Sequence, residues 1–218
     1  MSRVYHEISQ KAYFSMPRNA HTKNHKQPQA PGEVRIIGGQ LRGRKLTVAD
    51  VPGLRPSTDR VRETLFNWLQ FELAGQRCLD LFGGSGALGF EALSRGAELV
   101  VMIEKDAKAA AILSQHATTL NQVSQGQVLL QQGDALQFLQ QTPAKPFAVV
   151  FIDPPFRMGL AEQCCALLEQ YQWLQAGSWV YLETESEWHG QLPAHWRQHR
   201  SKAAGQVSYQ LYQLEELA

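Results

Sequence analysis

A chain of 218 residues, 44% hydrophobic and 19% charged, is long enough for one domain with a sizeable core and has the makeup of a globular protein. No apolar run approaches the roughly 18 residues of a membrane span, and the N-terminus lacks the apolar centre of a signal peptide, so the expected location is the cytoplasm, with no membrane partner. The formal net charge of +1 conceals a division: residues 1–62 carry twelve Lys or Arg against four Asp or Glu, a surplus of +8, and residues 63–218 carry a deficit of −7, as a nucleic-acid-facing segment on an acidic body would.

Residues 1–32 are rich in His, Asn, Gln, Lys and Pro with little hydrophobic periodicity, and are expected to form a disordered basic tail. VRIIGG and RKLTV then read as two short strands, so a small β-hairpin is expected within 33–57, with Arg35, Arg42, Arg44 and Lys45 on it. In the next stretch, PGLRPSTDRVRETLFNWLQFEL, Thr58 can cap a helix with Asp59 in its first turn. Val61, Leu65, Trp68 and Leu69 mark the buried face of that helix and leave Arg60, Glu63 and Asn67 on others. From residue 77 strands and helices alternate. RCLDLF, ELVVMIE, QVLLQQ, FAVVFIDPPF and SWVYLETE are strands; GALGFEALSRG, DAKAAAILSQHATTLNQ, DALQFLQQ and GLAEQCCALLEQ are helices. The end, HWRQHRSKAAGQVSYQLYQLEE, divides at Ala-Gly into an antiparallel hairpin. The expected fold is α/β: a Rossmann-like, mostly parallel seven-stranded sheet, covered on both faces, over 58–218. Cys78, Cys164 and Cys165 have neither C-x-x-C spacing nor a histidine at ligand spacing, and read as buried reduced thiols with no metal.

Ligands of such sheets bind beyond the carboxyl ends of the strands. Gly83–Gly86, Glu104, Asp134 and Asp153–Phe156 each follow an apolar run. Gly83, Gly84, Ser85 and Gly86 let the backbone turn sharply ahead of a helix N-terminus, which suits a pyrophosphate or the carboxylate of a methionine equally. Gly84, Gly86 and Gly89 also match the G-x-G-x-x-G of dinucleotide sites, a weak signal alone. Asp80, at the preceding strand end, is a poor neighbour for a pyrophosphate and a good one for a cationic amino acid or a sulfonium. Glu104 can accept both hydroxyls of a ribose, whichever adenosine ligand carries it. Asp134 can accept from an adenine amino group or merely cap the helix behind it. In Asp153-Pro154-Pro155-Phe156 the two prolines fix the backbone and remove two N–H donors. Carbonyl oxygens and the Asp153 carboxylate then form an acceptor cluster suited to an exocyclic amino group, and Phe156 offers a face for a flat base. An oxidoreductase has no evident use for that cluster.

Asp-Pro-Pro-Phe resembles the catalytic motif of amino-group methyltransferases that use S-adenosylmethionine. RIIGGQLRGRKL (35–46), GLRPSTDRVRETLFNWL (53–69), LDLFGGSGALGFEALSRGA and FIDPPF (151–156) resemble the bacterial 16S rRNA guanine-N2 methyltransferases of the RsmD family, across about residues 34–214. That resemblance implies a class I methyltransferase that modifies a guanine N2 of 16S rRNA, on the small subunit with some proteins already bound. It implies a methionine end held by Asp80, Gly83, Ser85 and Gly86, a ribose on Glu104, and an adenine edge read by Asp134 and the backbone of Ala135. The full expected cofactor set adds Phe82, Gly84 and Lys105. Asp153, Pro154, Pro155 and Phe156 would hold the target base. Arg35, Arg42, Arg44, Lys45, Arg55 and Arg60 would contact phosphates, and Arg62 either joins them or pairs with the acidic body. The family often has alanine where this chain has Gly83, and nothing carries over onto the tail. No residue pattern calls for a dimer, and a monomer is expected. The rival readings are an adenine-N6 methyltransferase on DNA or RNA, an NAD-dependent oxidoreductase, and a non-catalytic RNA-binding protein.

Overall fold

The computed structural model describes residues 32–52, 54 and 58–216. The expected tail and Arg55 fall outside them, apart from Gly32. A two-stranded sheet comes first, β1 (Glu33–Arg35) paired antiparallel with β2 (Lys45–Thr47). Helix α1 (Asp59–Trp68) follows, capped by the Thr58 hydroxyl, which accepts the Val61 N–H. Then come β3 (Arg77–Asp80), α2 (Ala87–Ser94), β4 (Leu99–Glu104), α3 (Ala107–Asn121), β5 (Gln127–Gln132), α4 (Ala135–Leu139), β6 (Val149–Ile152), α5 (Leu160–Gln170), β7 (Trp179–Glu185), β8 (Trp196–Ala204) and β9 (Val207–Leu214).

The seven-stranded sheet runs β5-β4-β3-β6-β7-β9-β8, with the first five strands parallel and the last two antiparallel. The chain builds outward from β3 to β5, then returns to lay β6 on the other side of β3. The carboxyl ends of β3 and β6 therefore diverge at a switch point, where a crevice opens. The terminal hairpin closes the sheet with its last strand inside. Tyr209, Leu211, Tyr212 and Leu214 of β9 are buried, whereas β8 is exposed beyond Trp196, and a polar strand is the one suited to an edge.

Two apolar layers sandwich the sheet. One face packs Phe151, Tyr181 and Met102 against Leu65 of α1, Phe90 and Leu93 of α2 and Leu113 of α3. The other packs Val150, Ile152 and Leu182 against Leu139 of α4 and Cys164, Cys165 and Leu168 of α5. The cysteines are free and buried, and burial pushes Cys78 and Cys164 up to about 12 and Cys165 higher still, so none is a thiolate at neutral pH. The N-terminal hairpin joins the first layer through Val34, Ile36, Leu41 and Leu46. Helix α2 fastens it. The buried Glu91 carboxylate accepts the Ile37 and Gly38 N–H groups at 2.7 and 2.8 Å, and the Ser94 hydroxyl accepts from Leu41 N and donates to Gly38 O.

Candidate active site

The crevice at the switch point is a cleft of about 760 Å³, within the range of small-molecule sites. Its floor is the glycine loop after β3. Gly84 and Gly86 adopt φ of +51° and +77°, which explains two of the four small residues. A Cβ on Gly86 would lie 2.5 Å from the Phe90 ring, so the turn also needs the space. Gly89 has a different task. A Cβ there would strike Met102 Sδ at 2.7 Å, so Gly89 lets α2 lie close on β4 and is not a ligand contact.

Asp80 is buried beneath this loop, where its carboxylate accepts the Gly89 N–H at 3.1 Å and the Phe82 N–H at 3.4 Å. Burial pushes its pKa up to about 7, and nearby Glu104 adds to the rise. Glu104 ends β4. Its carboxylate accepts the Gly84 N–H at 2.6 Å and the Asp106 N–H at 2.7 Å, so it clamps the glycine loop while lining the cleft. Asp134 does cap α4, accepting from Leu136 N and Gln137 N, and Lys105 donates to it at 3.0 Å. That lysine is the main reason the Asp134 carboxyl lies below the usual carboxylate range. The cap does not take Asp134 out of the cleft, which it lines with Ala135.

Across the crevice, Asp153-Pro154-Pro155-Phe156 leaves the end of β6 and lines the same cleft, with Phe156 42% exposed. The cofactor residues expected after β3, β4 and β5 and the Asp-Pro-Pro-Phe stretch thus meet in one place, except Gly86, which packs on Phe90 and does not line the cleft. Glu183 joins them and was missed from the sequence. It is only 6% exposed, stands one step past the Ile152–Leu182 pairing on the neighbouring strand, and accepts from Tyr181 Oη at 2.7 Å. Its signal was available: it is an acid ending the apolar run WVYL, as Asp153 ends VVFI.

Six carboxylates line the cleft among the described residues: Asp80, Glu104, Asp106, Asp134, Asp153 and Glu183. The one cation among the described lining residues is Lys105, already paired with Asp134. Such a lining repels a pyrophosphate and attracts an ammonium or a sulfonium.

The expected phosphate contacts divide. Arg42, Arg44 and Arg60 are exposed. Arg35 is exposed too, 3.9 Å from Asp59, and Lys45 pairs with Glu33 at 2.9 Å. Arg62 is not a surface group. At 1% exposure it donates to Arg35 O at 2.9 Å and to Asp59 at 2.6 Å, with Glu91 4.0 Å away. The buried guanidinium is held where carboxylates and a carbonyl surround it.

With this geometry, comparison with known proteins becomes informative. The family described as conserved hypothetical protein 95 matches residues 34–213. A ribosomal RNA small subunit methyltransferase D from Escherichia coli K12 is 50% identical over 186 residues, covering 84% of this chain and 91% of that protein. The chain belongs to this family. The protein of the same name from Haemophilus influenzae is 48% identical over 187 residues, covering 85% and 96%. The solved structure of a putative methyltransferase, yhhF from Escherichia coli, superposes with a TM-score of 0.77 at 49% identity, covering 85% of this chain and all of that one. Family membership and the acidic cleft together set the dinucleotide reading aside.

Proposed function

We propose that this protein transfers a methyl group from S-adenosylmethionine to the exocyclic N2 of a guanine in small-subunit rRNA. The observation that carries the cofactor reading is the acidity of the cleft: among the described residues six acid side chains, of which Asp80 ionises only near pH 7, stand against one paired lysine. The residues fit the group: Asp80 under the glycine loop for the methionine ammonium, Glu104 for the ribose, Asp134 and the Ala135 backbone for the adenine edge. Bound S-adenosylmethionine supplies an electrophilic methyl group on a sulfonium sulfur.

The chain's own residues position the base. A guanine N2 lone pair is delocalised into the ring and is a weak nucleophile. Asp153 and the Pro154 carbonyl accept the amino hydrogens, which favours a more pyramidal nitrogen. With the methyl group supplied by bound S-adenosylmethionine, the N–C bond would form as the S–C bond breaks, and Asp153 would take the proton that the new amine sheds. Positioning in line is the main contribution, and no covalent nucleophile is needed. Unstacking the base costs a few kcal/mol, partly offset by a stack on Phe156.

Glu183 favours guanine over adenine. The guanine edge presents N1–H beside N2–H₂, two adjacent donors, and Asp153 and Glu183 offer two carboxylates on neighbouring strands. Adenine would place its N1 acceptor against one of them. The relatives' name, ribosomal RNA small subunit methyltransferase D, supports the same substrate. A monomer acting in the cytoplasm on an assembling small-subunit particle completes the reading; among the described residues no helix is long and apolar enough to cross a membrane.

The test is transfer of labelled methyl to small-subunit particles from cells lacking the protein, followed by nucleoside mass spectrometry. N2-methylguanosine from the wild type and none from Asp153→Ala is the expected result. N6-methyladenosine would overturn the guanine assignment, and near-normal turnover by a folded Asp153→Ala would overturn the role of the carboxylate.

A further inference from the structure

Residues 188–214 contain Arg197, Arg200, Lys202 and three histidines but no aspartate or glutamate, within a body whose residues 63–218 carry a net −7. All three cations lie on β8, the edge of the sheet. Strand side chains alternate between faces, so Arg197 and Arg200, three residues apart, should point to opposite faces. They do not, because the register slips between Gln198 and Arg200. Arg197 pairs with Gln213, Arg200 with Leu211 and Lys202 with Tyr209, alternate positions of β9 and hence one face. The bulge has re-aimed the strand so that its cations line up.

That face is the one α1 covers. Trp68 of α1 stacks on Tyr209 at 5.7 Å, and the Lys202 ammonium sits 6.0 Å from the Trp68 ring centre. His199, the residue in the bulge, meets Trp179 edge-on, and Glu72 accepts the Trp179 indole N–H. Arg197 is tied to Glu215 at 3.1 Å, leaving Arg200 and Lys202 as the pair nearer the end of the strand. The strand ends in the cleft wall, which Ala204, Gln206 and Val207 of the β8–β9 turn help to form.

We infer that the bulged face of β8 is a second RNA-backbone contact, a track of cations that delivers the strand carrying the target base to the cleft. Alternate residues of a strand lie about 7 Å apart, a step comparable with that between phosphates of an extended nucleic-acid strand. Lysines and bulges also protect sheet edges from pairing with other chains. Protection needs charge on the edge, whereas a track needs the charges on one face and leading to the cleft, as here. The inference rests on the rRNA reading above.

The test compares wild type with the double variant Arg200→Gln, Lys202→Gln. Affinity for the 16S rRNA fragment containing the modified guanine is measured across a salt series, alongside S-adenosylhomocysteine affinity, melting temperature and oligomeric state. The expected result is RNA affinity about tenfold lower and a salt slope shallower by about 1.4, for two phosphate contacts at about 0.7 each. KM for RNA should rise with kcat, cofactor affinity and melting temperature unchanged. RNA affinity and slope equal to wild type would overturn the track, as would a variant that only self-associates, which would make the cations edge guards. Arg200→Lys, which keeps the charge, should retain the wild-type slope; a loss equal to that of the double variant would also overturn it. A wild type that neither binds nor methylates this RNA would fail the rRNA reading itself, and the track with it.

Discussion

Replacing Glu104 by Gln tests the cleft at its most connected residue. The carboxylate accepts Gly84 N–H through one oxygen and Asp106 N–H through the other, at 2.6 and 2.7 Å. A carboxamide has one acceptor oxygen, so its NH₂ must confront one of these N–H groups or swing away. The remaining lone pairs, assigned to the ribose hydroxyls, lose their charge as well. A hydrogen bond to a charged group contributes about 1.5–3 kcal/mol. Losing one on the cofactor and loosening the loop beneath it should weaken cofactor binding by about 2–4 kcal/mol, roughly 30- to 700-fold. Calorimetric titration with S-adenosylhomocysteine reads the affinity, and a thermal melt reads the fold. The melt should fall by a few degrees and stay cooperative, because the two backbone bonds lie at the edge of the core. An affinity within threefold of wild type, with that melt, would refute the reasoning.

Three further outcomes follow from the same geometry. Gly83→Ala should lose little stability, since its Cβ would press Leu113 at 3.1 Å and Ile103 O at 3.3 Å, gaps that a shift of a few tenths of an ångström relieves, whereas Gly86→Ala, at φ +77° and 2.5 Å from the Phe90 ring, should lose about 3 kcal/mol or more; equal melting of the two would refute the difference. Asp80 holds its proton up to about 7 in the folded protein and to near 3.8 unfolded, so its contribution to stability is present at low pH and is lost as pH rises between those values. Binding of an ammonium or sulfonium favours the ionised form, so cofactor affinity should climb by up to about tenfold per pH unit below 7 and level off above it. Asp80→Asn should flatten that climb, and a wild-type affinity independent of pH between 5.5 and 7.5 would contradict the placement. Arg62→Met should cost about 3 kcal/mol by stranding Arg35 O and weakening the charge balance at Glu91, a melting loss of about 10 °C, with RNA affinity of the folded fraction unchanged; a phosphate-contact residue would show the reverse.

The strand ends were legible because each parallel strand is an apolar run whose first polar residue marks the cleft side. This rule places Glu104 and Asp153 without any structure, while Gly83 and Asp134 follow from the turn and helix start after their strands. The same rule reaches Glu183, one residue past WVYL. Partnerships across the chain were not legible. Lys105 and Asp134 are 29 residues apart, as are Arg62 and Glu91, and neither pattern nor spacing couples them. For Arg62 the sequence left phosphate contact and pairing with the acidic body both open, although Glu91, a lone acid in the wholly buried helix Ala87–Ser94, was a sign that some cation or backbone donor had to meet it. The bulge at His199 is a slip of one residue, set by the pairing of β8 with β9. An alternation rule applied to WRQHRSKAA assigns Arg197 and Arg200 to opposite faces, so the row of cations emerges only from the register.

Charge explains how one surface handles two partners of opposite sign. On the proposed reading, a polyanion would not lay its phosphates in a cleft lined by six acid side chains, and its backbone would stay outside, on cations such as Arg200 and Lys202 of β8, the strand whose end helps to form the cleft wall. A base carries no charge, and its Watson–Crick edge bears donors that carboxylates accept, so it alone can pass the rim. The cationic methyl donor needs no such guidance. On the same reading it would be drawn to the floor by the field that holds phosphates back, while Glu91 on α2 docks the hairpin that bears Arg42 and Arg44 onto the helix leaving the glycine loop. Helix α2 would then link the hairpin's cations, docked at Glu91 and Ser94, to the glycine loop at its other end, so that the proposed RNA and cofactor contacts would share one helix.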